Sequence, residues 1–542
     1  MKITGRHDPD LRLGISLAAG LRTSAPELLL GGFILALAAV AGLVAAQSPT
    51  TALGLAVSAG LACVASLRHR LSGLFLIIMP GLLLGYALFD KAFAYVGVYP
   101  VYVGEVALLI AALHVVAGRP IRLTWLHFSW LHWMLIAFMA LGLARTLPYL
   151  SRDGIDALRD ASLWGYGVFA VALSLALRVN HFSRVISLFR IAIPVFLVWT
   201  PVAGLLSRLY GSELPTVFGS TTSLLTLKSG DLGVHLAGIG AFLIVGLSWR
   251  RLSHWIPETL MWVLWMLGVA IVGAANRAAF LAASAAFAGG LLIPPPARLI
   301  WRFAVALALA GILVAAIPAT DVANQRTLSI DQIVRNIASI VTDSGAPELE
   351  SSKAWREQWW NTIVDYTVNG PYFWTGKGFG LNLADDDGFQ VDAVGSLRSP
   401  HNSHLTVLAR MGVPGLLLWV LLQLGFATSL LWSFLRARRN HADFWCRIDA
   451  WLFAYWLAMI VNASFDVYFE GPQGGIWFWS VFGLGLAAIG IQRSLFDGAD
   501  RERELAGRPW PKRLPVDTAV VTPTFQDRDA GHDAAPVRRT AH

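Results

Sequence analysis

Cysteine is nearly absent: Cys63 lies inside an apolar run and Cys446 beside a basic loop, and the 542 residues hold no other. That excludes a disulfide framework and a cysteine-ligated metal site, so any extracytoplasmic part must hold together without bridges. Charge is scarce too. Asp, Glu, Lys and Arg make up 14% of the chain against 56% for hydrophobic residues, whereas a soluble domain carries about a quarter charged residues. A string of soluble domains is therefore excluded, and 22 Trp fit a chain that lives in lipid. No internal repeat is visible, which argues against the inverted-repeat design of many transporters. The net charge of +8 is spread over short loops and a tail rather than gathered into one patch. Membrane topology accounts for it better than a nucleic-acid partner, and none is expected.

What is present is a succession of apolar runs. Met1 to Glu27 is basic and polar. A signal peptide cleaved near VAAQ is one reading, but the leader is long and Leu28–Ala46 is of spanning length, so an uncleaved first helix is expected. Further spans are expected near Thr51–Leu67, Ser72–Phe89, Val101–Ala117, Trp125–Ala144, Asp160–Leu177, Val185–Leu206, Leu232–Trp249, Glu258–Gly273, Ala278–Ile293, Phe303–Ile317, Leu405–Leu431, Ile448–Val461 and Gly475–Ile491. The fold class is thus an all-α polytopic membrane protein of about fourteen transmembrane helices with one large, partly helical periplasmic loop.

Loop charges test that count. With the N-terminus inside, the inner loops hold Arg68 and Arg70, Arg119 and Arg122, Arg178 and Arg184, Arg250 and Arg251, Arg298 and Arg302, then Arg436, Arg438 and Arg439. All are basic, as the positive-inside rule requires, while the outer segments are neutral or mixed. The expected organisation is a cytoplasmic N-terminus over 1–27, spans over 28–317, a periplasmic loop domain over 318–404, spans over 405–492 and a disordered, proline-punctuated cytoplasmic tail over 493–542.

The long outer segment has structure of its own. Ile330, Ile333, Val334, Ile337, Ile340 and Val341 recur at helical spacing and predict a short amphipathic helix. A second helix over Ser352–Tyr366 places Trp355, Trp359 and Ile363 on one face, with Arg356 and Trp360 beside it. Then come the turn TGKGFG, the acidic run Asp385–Asp387, and Arg398. The glycine turn fits a phosphate cradle of backbone amides but lacks the full Walker pattern, and alternating glycines are more often plain turns. The acidic run suggests a divalent-metal cluster, yet consecutive acids point in different directions and are usually solvated.

Candidate chemistry concentrates in SPHNSHLTVLARMGVPGLLLW, Ser399 to Trp419, where this polar segment meets a hydrophobic span. Asn402 and Ser403 can cap the helix that starts there. His401 sits at the boundary; residue type alone suits an interfacial histidine more often than a general base. His404 shares a helical face with His401, but without a third ligand packing or hydrogen bonding outweighs a metal pair. Arg277, in a very short outer connection, is either a snorkelling residue or the partner of an anion such as a lipid diphosphate. Arg356, Lys377 and Arg398 offer further cations, each individually more often a solvated surface charge. Glu105, Asp466 and Glu470, at or near span ends, are functional candidates or structural partners of arginine.

His401, Asn402, Gly412 and Gly415 fit the pattern His-[Asn/Ser/Gln]-x9-Gly-x-x-Gly, which resembles that of the O-antigen ligase and polymerase superfamily of bacterial envelope glycan transferases. The order of other features is similar over most of the chain. Asn276, Arg277 and Ala278 open a span, Arg356 and Trp359 lead to Gly376, Gly378 and Gly380, and FDVYFEGPQGGIWFW makes an acidic, aromatic outer turn between the last two spans. The departures are a larger span number than ligases commonly have and an insertion-like region around Asp385.

The resemblance implies a GT-C-like glycosyltransferase acting on the periplasmic face of the inner membrane, without a metal or other cofactor. Its donor would be an undecaprenyl-diphosphate-linked glycan and its acceptor another glycan or lipid A–core, within membrane lipid and beside other envelope polysaccharide assembly proteins. On that reading His401 is the base, Arg277 and Arg356 bind the diphosphate, Arg398 and Lys377 assist, and Asn402, Gly412 and Gly415 shape the motif. The elaborate outer segment leans toward a polymerase of exopolysaccharide or O-antigen over a ligase, and protein glycosylation is a third variant. A lipid-linked glycan flippase or other transporter is the alternative from another class.

Overall fold

A computed structural model describes residues 71–117, 128–211, 213–248, 258–316, 333–336, 347–391 and 395–506. Eight helices in it are long and apolar enough to cross a membrane: Leu71–Phe89, Trp130–Asp160, Val179–Ser207, Glu258–Ala275, Leu299–Ala316, Ser403–Arg439, Asp443–Ala463 and Pro472–Asp497. Shorter apolar helices, Val103–Val116, Ser162–Ala176 and Ser229–Ile244, lie between them in the chain, as does Arg277–Gly290. Helices close their backbone hydrogen bonds internally, which is what lipid demands. Among the described residues the strand content is a hairpin pairing Gly97–Val98 with Val101–Tyr102. The protein is thus mostly helical and multi-pass. The expected spans Leu28–Ala46 and Thr51–Leu67, the signal-peptide alternative and the tail after Ala506 lie outside the described residues, as does the helix expected over 330–341 except for Ile333–Asn336, which is helical.

Several expected boundaries move. The span expected from Asp160 is preceded by a charged helix, Leu150–Asp160, interrupted at Gly154. The motif helix starts at Ser403 and runs to Arg439. The last helix starts at Pro472 and continues through the start of the expected tail to Ala506. It persists because Asp497 pairs with Arg436 and Arg493, and because Phe496 is buried under the Arg436 guanidinium.

Burial separates centre from rim. The spans Pro472–Asp497 and Asp443–Ala463 are 83% and 67% buried among the described residues, whereas Trp130–Asp160 and Leu299–Ala316 are only 22% buried. Ser229–Ile244 is buried from Gly230 onward. Small residues let it sit there: a Cβ on Gly233 would stand 2.5 Å from that of Ala279, and one on Gly289 2.9 Å from the Ala454 Cα. Close backbone approach of this kind is how helices associate where lipid removes the hydrophobic drive.

Polar contacts gather at both ends of the bundle. At one end Arg190 and Arg447 donate to the Leu247 and Val245 carbonyls, closing the C-terminus of the central helix, and Arg302 pairs with Glu258. The opposite end carries Asp90, Lys228, Asn276, His401 and Asp466, and the segment ahead of the motif helix covers it. Its helix Pro347–Val368 packs Trp359 and Ile363 against Leu408 and Ala409 of the motif helix, with Leu383 and Ala384 filling the remainder.

Candidate functional site

The backbone of His401 lies in the left-handed region, with φ of 53°, a conformation that costs a non-glycine residue about 1–3 kcal/mol and persists only where its surroundings impose it. Neighbours on both sides impose it. The Trp360 indole donates to the Pro400 carbonyl at 2.8 Å, and the Asn402 side chain accepts from the His404 and Leu405 amides at 3.1 Å each. Asn402 is therefore the helix cap. Ser403 is not: its hydroxyl accepts from the Tyr468 and Phe469 amides and ties the motif helix to the turn after Ala463. His404 is committed to packing. It accepts from the Trp419 indole at Nδ1, so Nε2 carries the proton and donates to the Ile460 carbonyl.

The two glycine motifs are halves of one joint. Gly412 interrupts the motif helix with φ of 69° and ψ of −171°, and Pro414 has no amide to offer, so the helix carbonyls before them lose their usual partners. The glycine-rich turn supplies them: the Lys377 amide donates to Ala409 O at 2.7 Å and the Gly378 amide to Arg410 O at 3.1 Å. In return the Val413 amide donates to Phe373 O. A Cβ on Gly376 would lie 2.4 Å from the Arg410 carbonyl carbon, and one on Gly412 2.4 Å from Phe373 O, so neither position admits a side chain. Gly415 packs one turn above Met411, against its Cβ. Four amides of TGKGFG, those of Gly376, Lys377, Gly378 and Gly380, are spent on protein acceptors, the last on Asp160, so these four do not form a phosphate cradle.

Two of the expected cations serve the same joint. Arg398 pairs with Asp160 at 3.1 Å and Asp156 at 3.6 Å and donates to Gly380 O. Lys377 reaches Asp386 at 2.6 Å, also bonds Asp387, and lies 4.0 Å over the Tyr366 ring. Burial alone would lower the Lys377 pKa, but its hydrogen bonds to Asp386 and Asp387 raise it. The acidic run is solvated at Asp385 and Asp386, which are exposed, whereas the Asp387 carboxylate is drawn inward and also accepts from the Trp359 indole; Asp385 accepts from Gln390. Arg410, which the sequence did not single out, is 2% exposed and bridges Asp160 at 2.9 Å to Gly378 O and Leu381 O. Only its place inside an apolar helix hinted at it.

A different group of charges stands with His401. Asp466, in the turn after Ala463, brings Oδ1 to 3.9 Å from His401 Nδ1, beyond a direct hydrogen bond but within electrostatic reach. The same oxygen accepts from the Val467 amide at 2.8 Å and lies 3.6 Å from Lys228 Nζ. Burial pushes the Asp466 carboxyl up, yet Lys228, the Val467 amide and His401 outweigh it and bring it down to about 2. Lys228 also bonds Val467 O at 3.0 Å and lies 3.9 Å from Asp231, and its amide donates to Asp90. Asp90 is held well above the usual carboxylate range by burial and by Asp231. Gly230 permits the approach of Asp466, because a Cβ there would stand 2.3 Å from Asp466 Oδ2 and 3.0 Å from the Asn276 amide nitrogen. Glu470 lies beneath the histidine loop beside Ser399 and Thr406, its pKa raised by burial. Glu105 stays apart, accepting from the Tyr102 amide.

The remaining expected cations border this group. Asn276 caps the helix Arg277–Gly290 through its side chain, which sets Arg277 in the first turn, next to the Asn276 amide that faces Gly230 and Asp466. Arg356 donates to Phe465 O at 3.1 Å, one residue before Asp466. Helix Pro347–Val368 thus grips both segments of the site, through Trp360 the one bearing His401 and through Arg356 the one bearing Asp466. Asp90, Lys228 and Asp231 escaped sequence reasoning because each is a lone charge at the edge of an apolar run. Among the described residues, no group of three or more His, Cys, Asp or Glu side chains is placed to hold a metal ion.

Residues 262–420 match the family model described as O-Antigen ligase. The match takes in Asn276, Arg277, Arg356, the glycine turn and the whole histidine motif, and ends before Asp466. No curated protein matches the chain.

Proposed function

We propose, from the match of residues 262–420 to the O-Antigen ligase family model, that the protein transfers a glycan from undecaprenyl diphosphate to an acceptor hydroxyl at the periplasmic face of the inner membrane. The observation that carries this reading is His401, held in a strained backbone conformation at the start of the motif helix with Asp466 opposite its Nδ1. With Nδ1 turned to Asp466, Nε2 is the atom that takes the acceptor proton. The acceptor oxygen attacks the anomeric carbon as the bond to the diphosphate oxygen breaks, inverting that centre. Negative charge grows on the departing lipid diphosphate, where preorganised cations lower the barrier. Arg277 and Arg356 border the His401–Asp466 group and are assigned to it. Arg398 and Lys377 act at one remove, since their carboxylate partners hold the loop that carries the histidine. No nucleotide is needed, because the donor's glycosyl diphosphate bond supplies the free energy.

The test mixes purified protein in detergent with an undecaprenyl-diphosphate-linked repeat unit, with and without lipid A–core, and follows glycan mass. Longer undecaprenyl-linked chains make it a polymerase, and transfer only when lipid A–core is present makes it a ligase. Movement of the lipid-linked glycan across a bilayer without a covalent product would refute glycan transfer and support a transporter.

A further inference from the structure

We propose that Lys228 is a positioning residue for transfer, its ammonium pinning the Asp466 carboxylate against His401; this rests on the reading of His401 as the base. The geometry is that of a bracket. Nζ bonds Val467 O and stands 3.6 Å from the Asp466 oxygen that faces His401, while the amide of the same residue is anchored on Asp90. Both ends of Lys228 are thus held by different elements: the end of helix Leu71–Phe89 below, and the turn after Ala463 above. Gly230, two residues on, leaves the space into which Asp466 descends.

Charge makes the bracket necessary. Asp466 is 8% exposed and shares its surroundings with Asp90, Asp231 and Glu470, all acids, so in the absence of a cation repulsion and desolvation would both favour its neutral form. The groups facing the pair are Asp90 after the first described helix, Asp231 on the central helix, His401 at the motif helix, Glu470 on the outer turn, and Arg356, whose guanidinium is bound at Phe465 O. Among these Lys228 is the cation with its charge directly on Asp466. A neutral Asp466 would leave the imidazolium formed during transfer without its counter-charge.

The experiment is the pH dependence of turnover for full-length wild type, Lys228→Met, Lys228→Arg and His401→Ala. The donor is the undecaprenyl-diphosphate-linked repeat unit, with that unit and lipid A–core both supplied as acceptors. Without the ammonium nothing offsets the surrounding carboxylates, so the site holds a proton to higher pH and the acid limb of Lys228→Met moves upward by about one pH unit or more while the rates converge at alkaline pH. Lys228→Arg keeps the limb in place. A Lys228→Met profile that superimposes on wild type, or that falls by one factor at every pH, overturns the proposal. Lys228→Gln takes the place of methionine should that variant fail to fold, with the same criterion. Wild-type turnover in His401→Ala would instead sink the base assignment, whereas an inactive His401→Ala beside an unshifted Lys228→Met sinks the role of Lys228 alone.

Discussion

At the scale of single residues the proposed mechanism rests on His401 and Asp466, which should respond differently to substitution. If His401 is the base proposed above, His401→Ala removes the acceptor of the proton, and transfer should fall by about 100-fold or more with donor binding retained, as measured by single-turnover assay and lipid-linked donor binding. Gly230→Ala tests the space beneath Asp466. Its Cβ would lie 2.3 Å from the carboxylate, so the carboxylate must move and kcat should drop in a protein that still folds, as judged by its size-exclusion profile. Asp466 also couples to pH. Its neighbours bring its carboxyl down to about 2, below the ordinary value of 3.8, so its contribution to stability is full above about pH 4 and is lost as pH falls through 2. Thermal unfolding of Asp466→Asn should therefore lose part of the wild-type decline between those pH values; an identical decline would show that other groups carry it.

The joint between the kinked motif helix and the glycine turn belongs to the scale of elements. Gly412 adopts φ of 69° with the Phe373 carbonyl where a side chain would go, so Gly412→Ala should destabilise the joint by about 1–3 kcal/mol, read as a lower Tm in detergent. Arg410 is more demanding. It is buried against Asp160, and removing one member of a buried pair leaves the other charge unpaired, at about 3–5 kcal/mol. Arg410→Met should open the segment ahead of the motif helix to protease and lower activity, though the residue is assigned no contact with substrate. Sequence pattern showed both glycine motifs here. That they are one structure, each lending the other its hydrogen bonds, depends on a fold that joins residues 373–378 to 409–413.

For the whole molecule, the resemblance implies transfer that is independent of divalent metal, so activity should persist in excess chelator; loss in chelator with rescue by magnesium would overturn that. The bundle places Asp90, Lys228, Asn276, Arg356, His401 and Asp466 at one end although they span most of the described chain. Asp466 lies between the two most buried spans, Asp443–Ala463 and Pro472–Asp497, and Lys228 leads into the buried helix Ser229–Ile244, so this part of the polar end is held by the most constrained part of the protein.

The sequence alone determined the multi-pass helical character, because a continuous apolar run of spanning length satisfies its backbone in lipid by closing its hydrogen bonds within a helix. It also marked His401 and its cap, because a polar residue at a helix start is a local signal. Tertiary structure decided which charges work together. Arg398 and Lys377 lie near His401 in the chain yet are drawn to Asp160, Asp386 and Asp387, while Lys228 reaches across 239 positions to the Val467 carbonyl. Ion pairing follows distance and dielectric in space, and neither is written in local pattern.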